Sequence, residues 1–440
     1  MNHKLFYIET LGCAKNAVDS EKAAQGLIED GYTPTDKVEE ADVVVVNTCA
    51  FIDQARQESI ETTLELSSTK KQNAKLVVTG CMAQRYEDEL KASLPEVDAV
   101  IGFDNEANIA SVLFEPLQIK KKPVGVRDLL DMPRPKPTSP WAYLKVAEGC
   151  NRNCAFCAIP TFRGKQRSRS LESIFDEAKM LVQNGIKEIV LVAQDIAWYG
   201  RDLEVEVNLS QIMKKIDELK DDGLISQRLV YIYPSELRGE LLETMLELET
   251  SVPYFDLSLQ HCNSELLRMM KRPGSTDKFL DLINTIRQAN PQAVFRSNFI
   301  VGFPGETEEH HSELLDFIGE AKITWAGFFP FSKEKDTLAY DYPNQVDSEL
   351  AQIRVRELSR IQDEITNQYL ISTIGGQYQF LVDSVNEENQ LVTRSYDSAP
   401  EIDGVVFFDR LHTKNAPGEI IKGEITDVLG VDRYAREILS

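Results

Sequence analysis

Three short β-branched runs near the start of the chain each end on a cysteine, and this repetition constrains the fold more than any other feature. Cys13 follows Leu5 to Ile8, Cys49 follows Val43 to Val46, and Cys81 follows Leu76 to Val78. A fourth run covers Ala99 to Ile101, and amphipathic stretches at Val18 to Glu29 and Gln54 to Leu66 separate the runs. Strands alternating with helices predict an open parallel sheet with covering helices. In such a sheet the loops leaving the carboxyl ends of the strands share one edge, where these folds bind ligands. Thiols repeated at that edge can meet on one iron–sulfur cluster and leave an iron uncovered. Three unrelated buried cysteines are the alternative, because a free thiol often serves as a small core residue.

A second group of thiols is local. Cys150, Cys154 and Cys157 stand in the run Cys150-Asn151-Arg152-Asn153-Cys154-Ala155-Phe156-Cys157. Three thiolates on one loop cover three irons of a four-iron cubane, and the open iron separates a cluster that does chemistry from one that only carries electrons. A four-cysteine zinc site would need another ligand close by in sequence, and none follows. A disulfide is disfavoured because Met1 to Thr10 reads neither as a signal peptide nor as a membrane span. The expected location is the cytoplasm, where seven cysteines, an odd number, read as metal ligands or free thiols.

At 440 residues, with 42% hydrophobic and 27% charged, the chain has room for roughly three domains. The expected division is residues 1–115, a linker at 116–138 rich in proline and lysine, residues 139–371, and residues 372–440. The second part repeats the strand–helix rhythm. Strands are expected at Ala142 to Ala147, Glu188 to Ala193, Arg228 to Tyr233, Phe255 to Leu259, Val294 to Val301 and Trp325 to Phe331. Six βα repeats predict a partial barrel with its chemistry at the carboxyl ends of the strands, where the loop of Cys150 lies. Leu350, Ile353, Leu358, Ile361 and Ile365 predict a long amphipathic helix between Val346 and Ile371. The last part, with short strands and turns, predicts a small β-barrel.

Charge bears on the partner. The net charge of −23 opposes a protein that grips phosphates, and the final barrel alone carries 12 acidic against 6 basic residues from Gly375 onward. A basic protein partner fits this sign. Lys120 to Lys122 in the linker could touch RNA, but a solvated linker is the simpler reading.

The C-x3-C-x2-C loop resembles the signature of radical S-adenosylmethionine enzymes, with Phe156 at the aromatic position that family keeps. The resemblance implies that the open iron is chelated by S-adenosylmethionine and that Phe156 lies near the adenine. It places Gln194 and Asp195 near the methionine amino group, and Ser258 and Gln260 near the ribose. Gly302-Phe303-Pro304-Gly305-Glu306-Thr307 resembles loops that border the cofactor, and Thr307 can cap the helix that follows. No Gly-Lys-Ser/Thr is present there, so nucleoside triphosphate binding is not indicated. His261 beside Cys262 suggests a metal pair, but with six cysteines grouped by threes Cys262 reads as a structural thiol.

End to end, the chain resembles the methylthiotransferases, which join a three-cysteine domain, a radical barrel and a TRAM barrel. Leu11-Gly12-Cys13-Ala14-Lys15-Asn16, Asn47-Thr48-Cys49-Ala50-Phe51-Ile52, Gly149-Cys150-Asn151-Arg152-Asn153-Cys154 and Ala399-Pro400-Glu401-Ile402-Asp403-Gly404 resemble the branch that modifies an aspartate of ribosomal small-subunit protein 12. The other branch modifies adenosine in transfer RNA. Ala14, Ser398 and Asp336 depart from the first branch's usual proline, aspartate and glycine. The resemblance implies two 4Fe–4S clusters, on Cys13, Cys49 and Cys81 and on Cys150, Cys154 and Cys157, and two S-adenosylmethionines per turnover. One methylates sulfur on the first cluster, and the other yields the radical that takes hydrogen from the aspartate β-carbon. An electron-donor protein is implied, and direct RNA contact is allowed but not required. A non-catalytic cluster or zinc protein of a ribonucleoprotein is a third reading.

Overall fold

The computed structural model describes residues 4–114, 129–409 and 415–438. The first unit is a parallel sheet of β1 (Leu5–Thr10), β2 (Thr33–Pro34), β3 (Val43–Thr48), β4 (Lys75–Thr79) and β5 (Ala99–Val100), in the order β2-β1-β3-β4-β5. Every residue of β3 is buried, as expected for a central strand covered on both faces. Helix α1 (Ala14–Glu29) follows β1, and a helix over Asp53–Thr69 follows β3.

The second unit holds β6 (Trp141–Lys145), the short antiparallel pair β7 (Ala147–Glu148) and β8 (Arg167–Ser168), and then β9 (Glu188–Val192), β10 (Ser226–Leu229), β11 (Tyr254–Gln260), β12 (Val294–Val301) and β13 (Trp325–Pro330). The six long strands run parallel in the order β6-β9-β10 and β11-β12-β13. Isolated parallel bridges, Gln227 to Ser251 and Ile232 to Leu257, join the two halves. The result is a partial barrel. Its third strand was expected to reach Tyr233 but ends at Leu229, because Tyr231 adopts φ 66° and turns the chain out of the ladder.

Alternate residues of these strands face opposite ways. Leu144, Ile189, Leu191 and Leu229 pack with the outer helices, including Leu171–Gln183. Tyr143, Val190, Val192 and Val230 face inward and meet Ala14 and Val18 of α1. The first helix of the chain therefore fills the concave face of the barrel, and this brings Cys13, its N-cap residue, to the barrel's strands.

The third unit is a closed barrel of β14 (Gln377–Val385), β15 (Gln390–Arg394), β16 (Val406–Asp409), β17 (Ile420–Leu429) and β18 (Asp432–Glu437), in the order β14-β15-β16-β18-β17. Its 399–404 loop docks on the partial barrel: Asp403 accepts from Tyr254 Oη at 2.6 Å and pairs with Arg296 at 2.6 Å, and Tyr143 Oη donates to Pro400 O at 3.2 Å. Buried Arg394 pairs with Glu188 at 2.7 Å, and the Trp325 indole donates to Asp397 O at 2.8 Å.

Two further expectations are corrected. Residues 129–134 are not a solvated linker: Leu129, Leu130, Met132 and Arg134 are buried. Lys22 Nζ donates to Leu130 O at 2.7 Å, and Arg134 pairs with Glu21. Lys120 to Lys122 lie outside the described residues. The long helix forms over Ser348–Ser372, but Leu350 and Ile353 are exposed, and the stripe it buries includes Ala351, Arg354, Leu358 and Gln362. Leu358, Ile361 and Ile365 pack against the core as expected, and Arg354, which reaches Glu306 at 2.8 Å, and Gln362, which donates to Ile323 O at 2.9 Å, add polar partners to the buried face. Asp336 takes φ 66°, which explains why glycine suits that position.

Candidate functional site

The first three cysteines lie where the sheet order requires, at the carboxyl ends of neighbouring β1, β3 and β4. Cys13 caps α1, Cys49 follows Thr48, and Cys81 lies in the first turn of the helix Gly80–Arg85. Gly12 has φ 95°, and a Cβ there would stand 2.9 Å from Cys49 Sγ, so only glycine lets the Cys13 loop come this close. Asn16 Nδ2 donates to Leu11 O at 2.9 Å and Thr48 O at 3.1 Å, and Asn16 Oδ1 lies 3.6 Å from Cys81 Sγ. One side chain thus touches all three loops. Burial first, and then Cys13, pushes the Cys49 thiol up. Burial pushes Cys81 up to about 12 despite Arg163, with Cys13 and Cys49 adding to it. Cys13 goes the other way: despite its burial, Lys15 and Arg163 lower it, and a metal that binds the thiolates displaces the protons that remain.

The cysteine loop of the second unit is closed at its base by β7 and β8. Gly149 has φ 78°, and a Cβ would fall 2.3 Å from Lys165 O. Cys150 N donates to Gly164 O at 3.1 Å, Ala155 N to Met270 O at 3.0 Å, and Ala339 N to Ala155 O at 2.8 Å. These bonds fix the loop. Burial pushes Cys150 up to about 11 and Cys157 to about 12, and Cys154 adds to both. Arg272 Nη1 lies 3.8 Å from Cys154 Sγ. Phe156 is half-buried against the core that holds Leu266, Met270 and Phe303.

Arg163, at the end of the helix Ile159–Arg163 that leaves this loop, connects the two groups. Its Nε and Nη2 donate to Cys81 Sγ at 3.3 and 3.1 Å, Nη2 donates to Asn16 Oδ1 at 2.7 Å, and Nη1 meets Asp19 and Glu148 at 3.0 Å. Lys145 pairs with both Asp19 and Glu148. Glu148 stays well below the usual carboxylate range because Arg163 and Lys145 outweigh its burial.

Other strand-end residues converge on the same edge. Gln194 Nε2 donates to Glu148 Oε1 at 2.7 Å, and Arg152 Nε, from within the cysteine loop, donates to Asp195 Oδ2 at 2.5 Å. Gln194 Oε1 and Asp195 Oδ1 are buried without a partner among the described residues. Ser258 O accepts from Arg272, and Gln260 closes β11 at φ 71°. The Tyr233 ring lies 4.0 Å from the Arg152 guanidinium and 3.7 Å from that of Arg272. Cys262 stays apart, fully buried and pushed up to about 12 by burial. Sequence reasoning missed Arg163, Arg272, Tyr231 and Tyr233. Only Arg163 had a signal, its place in the same strand-to-helix connection as the cysteines.

Among the described residues no group of His, Cys, Asp or Glu side chains converges tightly enough to hold one metal ion. A cubane asks for something else, because each thiolate binds a different iron and the ligands stand around a larger body. Two separate sets of three thiols, with no carboxylate or imidazole among them, suit clusters and not a lone hard cation.

Three family models match: the uncharacterized protein family UPF0004 over residues 5–102, the radical SAM superfamily over 144–318 and the TRAM domain over 374–438. The chain is 39% identical over 433 residues to the ribosomal protein uS12 methylthiotransferase RimO of Clostridioides difficile (strain 630), covering 97% of each chain. Against the protein of that name from Aquifex aeolicus (strain VF5) it is 40% identical over 433 residues, covering 98% of this chain and 96% of the other. The chain belongs to the uS12 methylthiotransferase family. It is accordingly a radical S-adenosylmethionine methylthiotransferase, an enzyme class that uses S-adenosylmethionine and 4Fe–4S clusters. Solved structures agree on the fold. The radical S-adenosylmethionine methyltransferase TsrM from Kitasatospora setae, with cobalamin and a [4Fe-4S] cluster bound, matches with a TM-score of 0.54 at 15% identity, covering 75% of this chain and 72% of that one. The cobalamin-dependent S-adenosylmethionine radical enzyme OxsB matches with a TM-score of 0.50 at 11% identity, covering 82% of this chain and 56% of that one.

Proposed function

We propose that this chain adds a methylthio group to the β-carbon of an aspartate in ribosomal protein uS12. The observation that carries the reading is the pair of thiol triplets linked by Arg163, which leaves the loop of the second triplet and donates to Cys81 of the first. In this reading Cys13, Cys49 and Cys81 hold one 4Fe–4S cluster and Cys150, Cys154 and Cys157 hold the other. The clusters and S-adenosylmethionine supply the one-electron chemistry, the radical and the methylated sulfur.

The chain's own residues hold and position these groups. Gly12 and Asn16 bring the first triplet together, and the backbone bonds at Cys150 and Ala155 fix the second. Gln194 and Asp195 each keep a buried oxygen free to accept from an amino group, in line with a place beside the methionine moiety. Phe156 serves the adenine, and Ser258 and Gln260 serve the ribose. Arg163 supplies fixed N–H donors beside Cys81, which favours its thiolate. The acidic final barrel suits a basic protein more than RNA. Among the described residues no helix is long and apolar enough to cross a membrane. The electrons come from a separate donor, in the cell a protein, and RNA contact is not required.

Mass spectrometry of uS12 after anaerobic incubation with reconstituted protein, S-adenosylmethionine and a reductant tests this. One methylthio group on one aspartate is expected. Modified adenosine in transfer RNA with unchanged uS12 would reverse the assignment.

A further inference from the structure

Lys15 is a cation without a carboxylate in ion-pair contact, in a region where other cations hold such partners. Arg163 and Lys145 share Asp19 and Glu148, Arg152 holds Asp195 and Glu236, and Arg296 holds Asp403. The Lys15 side chain is nearly buried, yet among the described residues no carboxylate lies within ion-pair distance of its ammonium. What it meets is the face of Tyr231, 3.6 Å from the ring centroid. A cation–π contact offsets part of the cost of burying an ammonium and leaves its N–H donors unused.

The seat itself is strained. Tyr231 holds φ 66°, a left-handed conformation that disfavours a bulky side chain, and its N–H donates to Asp256 Oδ2 at 3.2 Å. Such strain persists where the surroundings enforce it, and it concentrates at functional sites. The position is also telling. Lys15 is two residues beyond Cys13, while Tyr233, two residues beyond Tyr231, lies between Arg152 and Arg272 beside the other thiol triplet. The short segment from Tyr231 to Tyr233 therefore spans the space between the triplets.

We propose that Lys15, seated on Tyr231, binds the side-chain carboxylate of the substrate aspartate and makes the enzyme specific for an acidic residue. This rests on the proposed reaction at an aspartate β-carbon. A carboxylate entering that space loses water and needs a cation. An ammonium with rotatable donors grips the oxygens from one side and leaves the neighbouring carbon exposed. Asp256 and the Cys13 thiolate face the same ammonium, so the alternative is that Lys15 only balances their charge.

A cycle of two substitutions separates these roles. Holoprotein and its Lys15→Gln form are each titrated with intact uS12 and with uS12 carrying asparagine at the modified position. Wild-type protein is expected to bind the aspartate form roughly tenfold tighter than the asparagine form, and Lys15→Gln to bind the two within roughly twofold. Lys15→Arg is expected to keep most of the discrimination. Equal discrimination by wild-type and Lys15→Gln protein, or none by wild-type protein, overturns the proposal. Iron and sulfide content confirm that Lys15→Gln is loaded. Should it fail to load, Tyr231→Leu, which removes the seat, must show reduced discrimination, and unchanged discrimination there overturns the proposal. Wild-type protein that neither binds nor modifies uS12 refutes the proposed substrate, a failure visible without any variant.

Discussion

The two thiol triplets are built in opposite ways. Cys150, Cys154 and Cys157 share one loop, whose shape is fixed by its own backbone bonds and by β7 and β8. Cys13, Cys49 and Cys81 come from three loops and meet only because β1, β3 and β4 are adjacent and parallel. Their electrostatics differ as well. Arg152 beside the loop triplet is committed to Asp195 and Glu236, whereas the dispersed triplet faces Lys15, which among the described residues has no carboxylate in ion-pair contact, and Arg163, which donates directly to Cys81. A locally built site can be grafted between folds, but a dispersed one depends on its sheet and its neighbours. The dispersed triplet should therefore be the more fragile of the two.

The largest effect should come from removing either set. A triple Cys→Ala variant at residues 150, 154 and 157, and another at 13, 49 and 81, should each lose half of the iron and sulfide and all methylthiolation of uS12, as read by metal analysis and mass spectrometry. Arg163→Met should come next. It leaves buried Asp19 and Glu148 with less compensation and should cost about 3–5 kcal/mol in denaturant unfolding. Its cluster loss should fall first on the dispersed triplet, and equal loss at both would erase the contrast.

Glu106 gives a smaller, pH-dependent effect. Burial, with Asp19 adding, raises it from 4.5 to about 8. Stability from this group is full below pH 4.5, where both states are protonated, and is lost as pH rises towards 8 because only the unfolded chain can ionise freely. Glu106→Gln should therefore gain roughly 1–3 kcal/mol on wild type between pH 5 and pH 8. A constant difference across that range would show that Glu106 does not titrate in this way. Cys262→Ala should have the smallest effect, about 1 kcal/mol from a small cavity, with iron content unchanged. A loss of iron there would make the seventh thiol a ligand.

The sequence showed what is periodic or local. Val294 to Val301 forms β12 over the same residues, and the cysteine loop declared itself by spacing. The dispersed triplet was legible only because each member follows a strand. Long-range polar pairing was not legible. Arg163 with Cys81, Arg134 with Glu21 and Arg394 with Glu188 join residues far apart in sequence, and no hydrophobic pattern records them. The same blindness explains the long helix, whose buried Arg354 and Gln362 look like surface residues until their partners are known. The early end of β10 depends on one dihedral at Tyr231, a residue whose type favours strand.

Separating the two triplets by product gives the most direct measurement of the account. Cys81→Ala and Cys154→Ala proteins are incubated with S-adenosylmethionine, a reductant and uS12, and both 5′-deoxyadenosine and methylthiolated uS12 are quantified. Cys81→Ala is expected still to form 5′-deoxyadenosine without methylthiolated uS12, while Cys154→Ala forms neither. Methylthiolated uS12 from Cys81→Ala, or 5′-deoxyadenosine from Cys154→Ala at the wild-type level, would contradict the division of roles between the triplets.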